Sequence, residues 1–309
     1  MATSRLDELP VSFAPRDPSP AVAAAVVEAG GRVVGPEEAE ALLWTDFFDA
    51  GGLADVLASA PGIRWVQLPA AGVDVFRTLV DDGRFWTCAK GAYAEPVAEH
   101  ALVLGLAGLR RLPMRARATE WGPSAGTSLF DRKVTIVGGG GITAALLRLL
   151  APFRVDATVV RRSARPLAGA SHVVGPEHLD DALAGALLVV LALALTPETA
   201  GIVGRDQLAL MGPDTWLVNV ARGAHVVTDE LVDALRARRI GGAALDVADP
   251  EPLPSDHPLW SLDNCLITPH VADTLEMAQP LLARRVGENV RRYRQREPLL
   301  GVVDPALGY

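Results

Sequence analysis

The segment Val134–Thr143, which reads VTIVGGGGIT, decides the fold of this chain. Its apolar first half predicts a buried parallel strand, and its four glycines predict a tight turn. The residues that follow, up to Leu150, have the pattern of an amphipathic helix. A strand, a glycine turn and a helix in this order aim backbone N–H groups and the positive end of a helix at a phosphate. The segment therefore predicts a dinucleotide-binding unit with the pyrophosphate at the glycine turn.

Two registers of the glycine motif fit this segment. In the first, Gly138, Gly140 and Thr143 occupy the three positions, so that threonine replaces the third glycine. A register shifted by one residue places alanine there. The first is preferred because Ile142 then stands at an apolar helix position. The cofactor contacts predicted here are Gly138, Gly140, Gly141, Ile142 and Thr143.

Arginine stands where an NAD-binding unit usually has an acidic residue. Arg161 lies 23 residues after Gly138, in the segment VVRRS over 159–163. An acid at this position would accept a hydrogen bond from a ribose hydroxyl, whereas Arg161 and Arg162 attract a 2′-phosphate. The sequence therefore predicts NADP as the preferred cofactor, with NAD possible, and adds Arg161, Arg162 and Ser163 to the contacts.

Composition and charge limit the classes of function. The 309 residues suffice for two domains, and half are hydrophobic, so a substantial core can form. The net charge of −8 argues against a nucleic-acid partner. Two cysteines predict neither a disulfide framework nor a metal site. The N-terminus has no apolar signal core, and the longest apolar run, 182–195, is shorter than the roughly 20 residues that span a bilayer. We expect a cytoplasmic protein with no membrane partner.

Short apolar runs alternate with helix-like segments, which predicts parallel sheets. The first region is predicted to contain strands at Val11–Phe13, Ala41–Trp44, Arg64–Leu68 and Phe85–Cys88, and helices at Ala21–Glu28 and Leu53–Ala60. A long helix is predicted over 98–120, with Pro113 ending or kinking it. From Lys133 the pattern predicts six strands, as expected of a doubly wound dinucleotide fold, at 134–137, 157–160, 187–193, 216–220, 243–247 and 265–268.

Three side chains with catalytic potential follow the ends of three successive predicted strands. They are Arg222, Glu251 and His270. The carboxyl ends of parallel strands meet at one edge of a sheet, where ligands bind. A guanidinium clamps a carboxylate, an imidazolium donates a proton to a keto oxygen, and a carboxylate stabilises the charged imidazole. Together they predict hydride transfer to a 2-oxo acid.

These motifs resemble the D-isomer-specific 2-hydroxyacid dehydrogenase family, in particular its glyoxylate and hydroxypyruvate reductases. The resemblance rests on VGGGGIT (137–143), TPETAGIV (196–203), NVARG (219–223), ALDVADPEPL (244–253) and TPH (268–270), and more weakly on WVQLPAAGVD (65–74) and VAEHAL (97–102). It implies an α/β protein with two doubly wound parallel sheets. A Rossmann cofactor domain, residues 98–282, is inserted in a flavodoxin-like substrate domain of residues 1–97 and 283–309. It also implies a homodimer.

The resemblance assigns His270 as the acid/base, Glu251 as its partner and Arg222 as the substrate anchor. Asp246 is expected to hold the nicotinamide carboxamide. Further cofactor contacts are expected at Thr196, Thr199, Val220, Ala221, Arg222 and His270. The backbone of Ala71, Gly72 and Val73 is expected to bind the substrate carboxylate, next to Arg222 and His270. Lys90 is either a second substrate cation or a solvated lysine.

Departures from the family pattern leave alternatives open. Ala194 stands where the family usually has proline near the cofactor. Asp273 either acts on His270 or an anionic substrate, or it simply caps the next helix. The main hypothesis is an NADP-preferring reductase of small 2-oxo acids such as glyoxylate or hydroxypyruvate. The alternative is a dinucleotide-sensing, corepressor-like protein on the same fold. A formate or phosphite dehydrogenase has no recognisable signature here.

Overall fold

The structure, a computed structural model, describes residues 8–81 and 83–307. The chain forms two compact units. Unit 1 comprises the chain up to Tyr93 and from Asp273 onward, and unit 2 comprises Ala94–Ala272. Each unit is built around one parallel sheet with helices packed on it. The two sheets confirm the predicted fold class.

Twelve strands and nine α-helices lie within the described part of the chain. The strands are β1 (Leu9–Ala14), β2 (Gly31–Val33), β3 (Ala41–Trp44), β4 (Trp65–Gln67), β5 (Phe85–Thr87), β6 (Lys133–Val137), β7 (Asp156–Val160), β8 (His172–Val174), β9 (Leu188–Leu191), β10 (Trp216–Asn219), β11 (Gly242–Leu245) and β12 (Cys265–Ile267). The helices are α1 (Pro20–Glu28), α2 (Ala50–Ser59), α3 (Ala94–Leu109), α4 (Leu112–Ala116), α5 (Gly141–Leu150), α6 (Leu179–Leu183), α7 (Arg205–Leu210), α8 (Thr228–Arg236) and α9 (Leu275–Gln295).

Unit 1 has the strand order β2-β1-β3-β4-β5, with all neighbours parallel. Successive residues of a strand point to opposite faces. In β3, Leu42 packs with the apolar side of α2, whereas Leu43 packs with α1 and α9. The C-terminal helix α9 is therefore part of the core of unit 1, and it covers the same face of the sheet as α1.

Unit 2 has the strand order β12-β11-β10-β9-β6-β7-β8, again fully parallel. In β10, Leu217 packs with α7 and α8 on one face. Its neighbour Trp216 faces α3, where Gly108 lies against the indole ring. The strand order reverses between β6 and β9, and ligands of such sheets bind at this switch point, outside the carboxyl ends of the strands.

Three elements differ from the prediction. Strands β2 and β8 were not predicted, because each has three residues and lies at a sheet edge, too short to show a period. The predicted helix 98–120 is wrong in extent: α3 ends at Leu109 and a short α4 follows. The break lies at Arg111, whose left-handed backbone (φ 55°) starts a new helix with Pro113 in its first turn.

The boundaries of the compact units lie four and ten residues before the predicted ones at 97 and 282. Helix α3 begins at Ala94 and packs against α5, β10 and β11 of unit 2. Helix α9 packs along α1, so its first residues join unit 1. The assignment of unit 1 to the substrate and unit 2 to the cofactor stays a prediction.

Replacing Gly108 by alanine tests the packing of α3 on the sheet of unit 2. A Cβ at Gly108 would lie 2.1 Å from the buried ring of Trp216, which has no room to move. We expect Gly108→Ala to lower the free energy of unfolding by about 1–3 kcal/mol. The control is Gly51→Ala in α2, where the nearest atom is 3.8 Å away. Calorimetry that gives both variants the same melting temperature would contradict this packing.

Candidate active site

The glycine turn joins β6 to α5 at the switch point of unit 2. Gly138 has φ of 115°, and a Cβ on it would lie 2.1 Å from the carbonyl oxygen of Ala192, so only glycine fits. Its N–H donates to the carbonyl of Val160 at 2.8 Å. The helix begins at Gly141, and a Cβ on the preceding Gly140 would meet nothing within 4 Å. Open space thus lies at the helix N-terminus, and the geometry favours the first register.

Thr143 stands at the third motif position and is fully buried. Its hydroxyl donates to the carbonyl oxygen of Gly138 at 2.9 Å. A glycine at this position would give closer packing of helix on strand. The threonine instead supplies a hydrogen bond that closes the turn.

Arg161 follows β7, the neighbour of β6, and lies beside the glycine turn. Its aliphatic stem crosses Gly139, where a Cβ would lie 2.5 Å from Cδ of the arginine. Within residues 8–81 and 83–307, its guanidinium has no hydrogen-bond or ion-pair partner. Arg162 and Ser163 come next and are exposed. An available cation at this position fits a 2′-phosphate.

His270 and Glu251 form a close pair at the carboxyl edge of the same sheet. His270 follows β12 and Glu251 lies in the loop after β11. Nδ1 of His270 is 2.6 Å from Oε1 of Glu251, and each side chain is 42% exposed. An ionised carboxylate only accepts hydrogen bonds, so the network assigns the hydrogen to Nδ1. This leaves Nε2 as the atom for proton transfer.

The turn that carries His270 is held by Asp246, which is 2% exposed. The backbone N–H of His270 donates to the carbonyl of Asp246 at 2.8 Å. Oδ1 of Asp246 accepts from the N–H of Val271 and Oδ2 from that of Ala272, both at 3.0 Å. These bonds hold His270 in a left-handed conformation (φ 52°) that a non-glycine residue rarely adopts.

A histidine and a threonine complete the bonding of the Asp246 carboxylate. The hydroxyl of Thr268 donates to Oδ1 of Asp246 at 2.5 Å. Nε2 of His100, on α3, lies 3.0 Å from this hydroxyl and 3.3 Å from Oδ1. Burial raises the pKa of Asp246, but the hydrogen bonds from His100, Thr268 and the backbone outweigh it and bring the pKa below the usual value.

Arg222 lies on a tightly bonded loop after β10. Asn219 accepts from the N–H of Ala221 at 3.0 Å and donates to the carbonyl of Arg222 at 2.9 Å. The ring of the buried His225 lies 3.2 Å from the N–H of Arg222. Nη1 of Arg222 donates to the carbonyl of Ala221 at 2.8 Å. The loop therefore fixes the backbone from which the guanidinium extends.

The loop after β9 contains the predicted contacts Thr196 and Thr199. The hydroxyl of Thr199 accepts from the N–H of Thr196 and donates to the carbonyl of Ala194, both at 2.8 Å. Nε2 of His225 lies 3.3 Å from the same carbonyl. These bonds fix the backbone at Ala194.

The predicted substrate contacts of unit 1 lie on adjacent loops. Ala71–Val73 follow β4 and Lys90 follows β5, and the two strands are neighbours. Sγ of Cys88 lies 3.5 Å from the carbonyl of Ala71. Sequence reasoning missed Arg285 on α9, whose Nη1 donates to the carbonyls of Cys88 and Lys90 at 3.1 and 2.8 Å.

The part of the chain that the structure describes has neither a membrane-spanning helix nor a cluster of metal-ligating side chains. No helix in this part of the chain is long and apolar enough to cross a membrane. The same residues contain no group of three or more His, Cys, Asp or Glu side chains placed to hold a metal ion.

Comparison with known proteins identifies the family. Residues 101–272 match the family model of the NAD binding domain of D-isomer specific 2-hydroxyacid dehydrogenases. The chain belongs to the D-isomer specific 2-hydroxyacid dehydrogenase family. It is 32% identical to glyoxylate/hydroxypyruvate reductase A of Serratia proteamaculans over 70% of this chain and 69% of that one. An uncharacterized protein of Corynebacterium melassecola is 39% identical over 92% of the dehydrogenase and 95% of its own length.

Two solved structures resemble the dehydrogenase over nearly its whole length. A D-isomer specific 2-hydroxyacid dehydrogenase from Xanthobacter autotrophicus Py2, in complex with NADPH and MES, has a TM-score of 0.85 and 30% identity, and covers 98% of this chain and 99% of its own. An NADPH-dependent glyoxylate/hydroxypyruvate reductase from Sinorhizobium meliloti, in complex with NADP and sulfate, has a TM-score of 0.82 and 25% identity. The match covers 98% of this chain and 100% of the reductase. The predicted family, enzyme class and nicotinamide dinucleotide cofactor are confirmed.

Asp273 is not the N-cap of α9, the helix that follows it. Helix α9 begins at Leu275, and its N-cap is Thr274, whose hydroxyl accepts from the N–H of Met277 at 3.4 Å. The capping prediction for Asp273 is therefore wrong. An effect of this carboxylate on an anionic substrate stays a prediction, as do the roles of all the site residues above.

The carboxylate of Asp246 is expected to make the stability of the dehydrogenase depend on pH. Its pKa in the folded protein lies below the value of about 3.9 in an unfolded chain, so its contribution is complete above that pH and is lost as the pH falls through the folded pKa. We expect Asp246→Asn to be less stable than the parent at pH 7 by about 2–4 kcal/mol. The difference should shrink below about pH 4. Asp55→Asn, at an exposed position, is the control. A difference in melting temperature between the parent and Asp246→Asn that stays constant across the acid range would contradict the stabilising role of the Asp246 carboxylate.

Proposed function

We propose that the protein is an NADP-preferring reductase that converts a small 2-oxo acid, of the glyoxylate or hydroxypyruvate type, into the D-2-hydroxy acid. The observation that carries the proposal is the 2.6 Å pair of His270 and Glu251 on the sheet edge that also holds the glycine turn. The relatives that bear the reductase name support the substrate class.

The residues of the switch point fit a dinucleotide with a 2′-phosphate. The open space at Gly140 and the unpaired backbone N–H groups of the first turn of α5 suit a pyrophosphate. Arg161, beside the turn, supplies the positive charge for the 2′-phosphate. When bound, the cofactor supplies the hydride that reduces the carbonyl carbon of the substrate.

In the proposed mechanism the protein donates one proton to the substrate and binds its carboxylate and its keto oxygen. Arg222 binds the substrate carboxylate and polarises the keto oxygen. As that oxygen gains charge, Nε2 of protonated His270 donates a proton to it and yields the hydroxyl. Glu251 stabilises the imidazolium beforehand and fixes its ring through Nδ1. The N–H groups of Ala71–Val73 are proposed to bind the same carboxylate.

We propose that the protein is a homodimer in the cytoplasm and that it acts on small molecules and not on nucleic acid. Exposed apolar side chains of unit 2 support an interface between copies, among them Val103, Leu112, Trp121 and Phe130. Both cysteines are buried free thiols, as suits a reducing compartment. The net charge of −8 disfavours a phosphate backbone as partner.

Substitution of His270 separates the enzyme from the sensing alternative. The parent is expected to oxidise NADPH with glyoxylate or hydroxypyruvate, followed at 340 nm. His270→Gln removes the proton donor and should lower kcat by at least about 100-fold, while tryptophan fluorescence still reports NADPH binding. Glu251→Gln removes the carboxylate that orients the imidazole through Nδ1 and should lower kcat by a smaller factor. A parent that binds NADPH but turns over no 2-oxo acid would favour the corepressor-like role.

Substitution of the two arginines tests the cofactor preference. Arg161→Asp with Arg162→Ala removes the charge for the 2′-phosphate and introduces an acceptor for a ribose hydroxyl. We expect the affinity for NADPH to fall about 100-fold, as for loss of a charge-assisted pair, with NADH affected far less. The exposed Arg236→Ala, in the last turn of α8, is the control. Equal losses for both cofactors would refute the assignment.

A further inference from the structure

His100, Thr268 and Asp246 form a polar group behind the turn that carries His270, and no step of the proposed reaction uses His100. We propose that His100 is a positioning residue for His270: it fixes the hydroxyl and the carboxylate that hold this turn. The inference rests on the proposed role of His270 as the acid/base.

The hydrogen bonds of this group have a definite direction. The Asp246 carboxylate is ionised and only accepts, so the single proton of the Thr268 hydroxyl goes to Oδ1 of Asp246, at 2.5 Å. The hydroxyl oxygen must then accept from Nε2 of His100, at 3.0 Å. Nε2 therefore carries a hydrogen, and this nitrogen also lies 3.3 Å from Oδ1 of Asp246. His100 thus donates to Thr268, and the same nitrogen lies beside the carboxylate that holds the turn.

The position of His100 on a long helix explains how it can hold a loop. Helix α3 has 16 residues and packs against α5, β10 and β11, whereas the turn at His270 belongs to no helix or strand. The left-handed backbone of His270 is unfavourable for a residue other than glycine and persists only when its surroundings impose it. The bonds to Asp246 impose it, and His100 joins Asp246 to the rigid helix.

The first test compares two substitutions of His100. His100→Leu removes the donor at similar volume, and we expect kcat to fall about 10- to 100-fold, as for a misplaced reacting group. The loss should appear in kcat at saturating NADPH and 2-oxo acid, because it concerns the proton-transfer step. The solvent deuterium isotope effect on kcat should increase. His100→Gln keeps an N–H donor and should restore most of the rate, and the exposed His178→Leu is the matched control.

A double substitution distinguishes positioning from general damage. If His100 acts through His270, His100→Leu should cause no further loss of rate in the His270→Gln variant. An equal loss in both backgrounds, or a loss with an unchanged isotope effect, would overturn the proposal. Activity of His100→Leu equal to that of the parent would overturn it as well.

Amide hydrogen exchange tests the same inference without turnover. The N–H groups of Val271 and Ala272 bond to Asp246, so they should exchange faster in His100→Leu than in the parent or in His178→Leu. If His100→Leu does not fold, Thr268→Val, which removes the hydroxyl at the same volume, carries the same expectations. If the parent shows no reductase activity but these N–H groups still exchange faster in His100→Leu, only the proposed function is overturned. Unchanged exchange would overturn the positioning role.

Discussion

The rest of the candidate active site depends on the need to satisfy one buried negative charge. Asp246 directly follows β11 and has almost no exposure to water, and a buried charge is tolerated only where several donors surround it. Two of its donors are backbone N–H groups directly after His270. The folding of that loop and the burial of the charge are therefore one event, which gives the imidazole its orientation. His270 and Glu251 themselves remain partly exposed, as the proposed contact with a substrate requires.

Parallel topology gathers the other groups of unit 2. Six of its strands end at one edge, and each adds a loop: the glycine turn, Arg161, the threonine loop, Arg222, Glu251 and His270. The loops are stabilised by their own hydrogen bonds. The sheet therefore determines the position of each loop, and the hydrogen bonds within the loop determine the direction of its side chains. The comparisons establish the family, and the geometry supports a reaction for which one guanidinium, one carboxylate and one imidazole suffice.

The sequence predicted those parts of the molecule that depend on local patterns. Apolar runs located the longer strands, and the glycine turn with Arg161 located the candidate cofactor site. Contacts distant in sequence were not predictable. Thr228 has the pattern of an N-cap, yet its hydroxyl donates to the carbonyl of Asp249 at 2.7 Å, which supports the loop that carries Glu251. His100 has only the weak motif VAEHAL as a signal, and its role follows from contacts with residues more than 140 positions away.

The discontinuity of unit 1 has a consequence for the order of folding during synthesis. One face of its sheet is covered by α9, which contributes Val286 and Val290 to the core beside α1. Asn289 of the same helix donates to the side chain of Gln67, at the end of β4, at 3.0 Å. These residues leave the ribosome only after the whole of Ala94–Ala272 has been made. Unit 2 is one continuous stretch and can fold first. The apolar strands of unit 1 therefore remain partly exposed to solvent until α9 has been synthesised and packs on them.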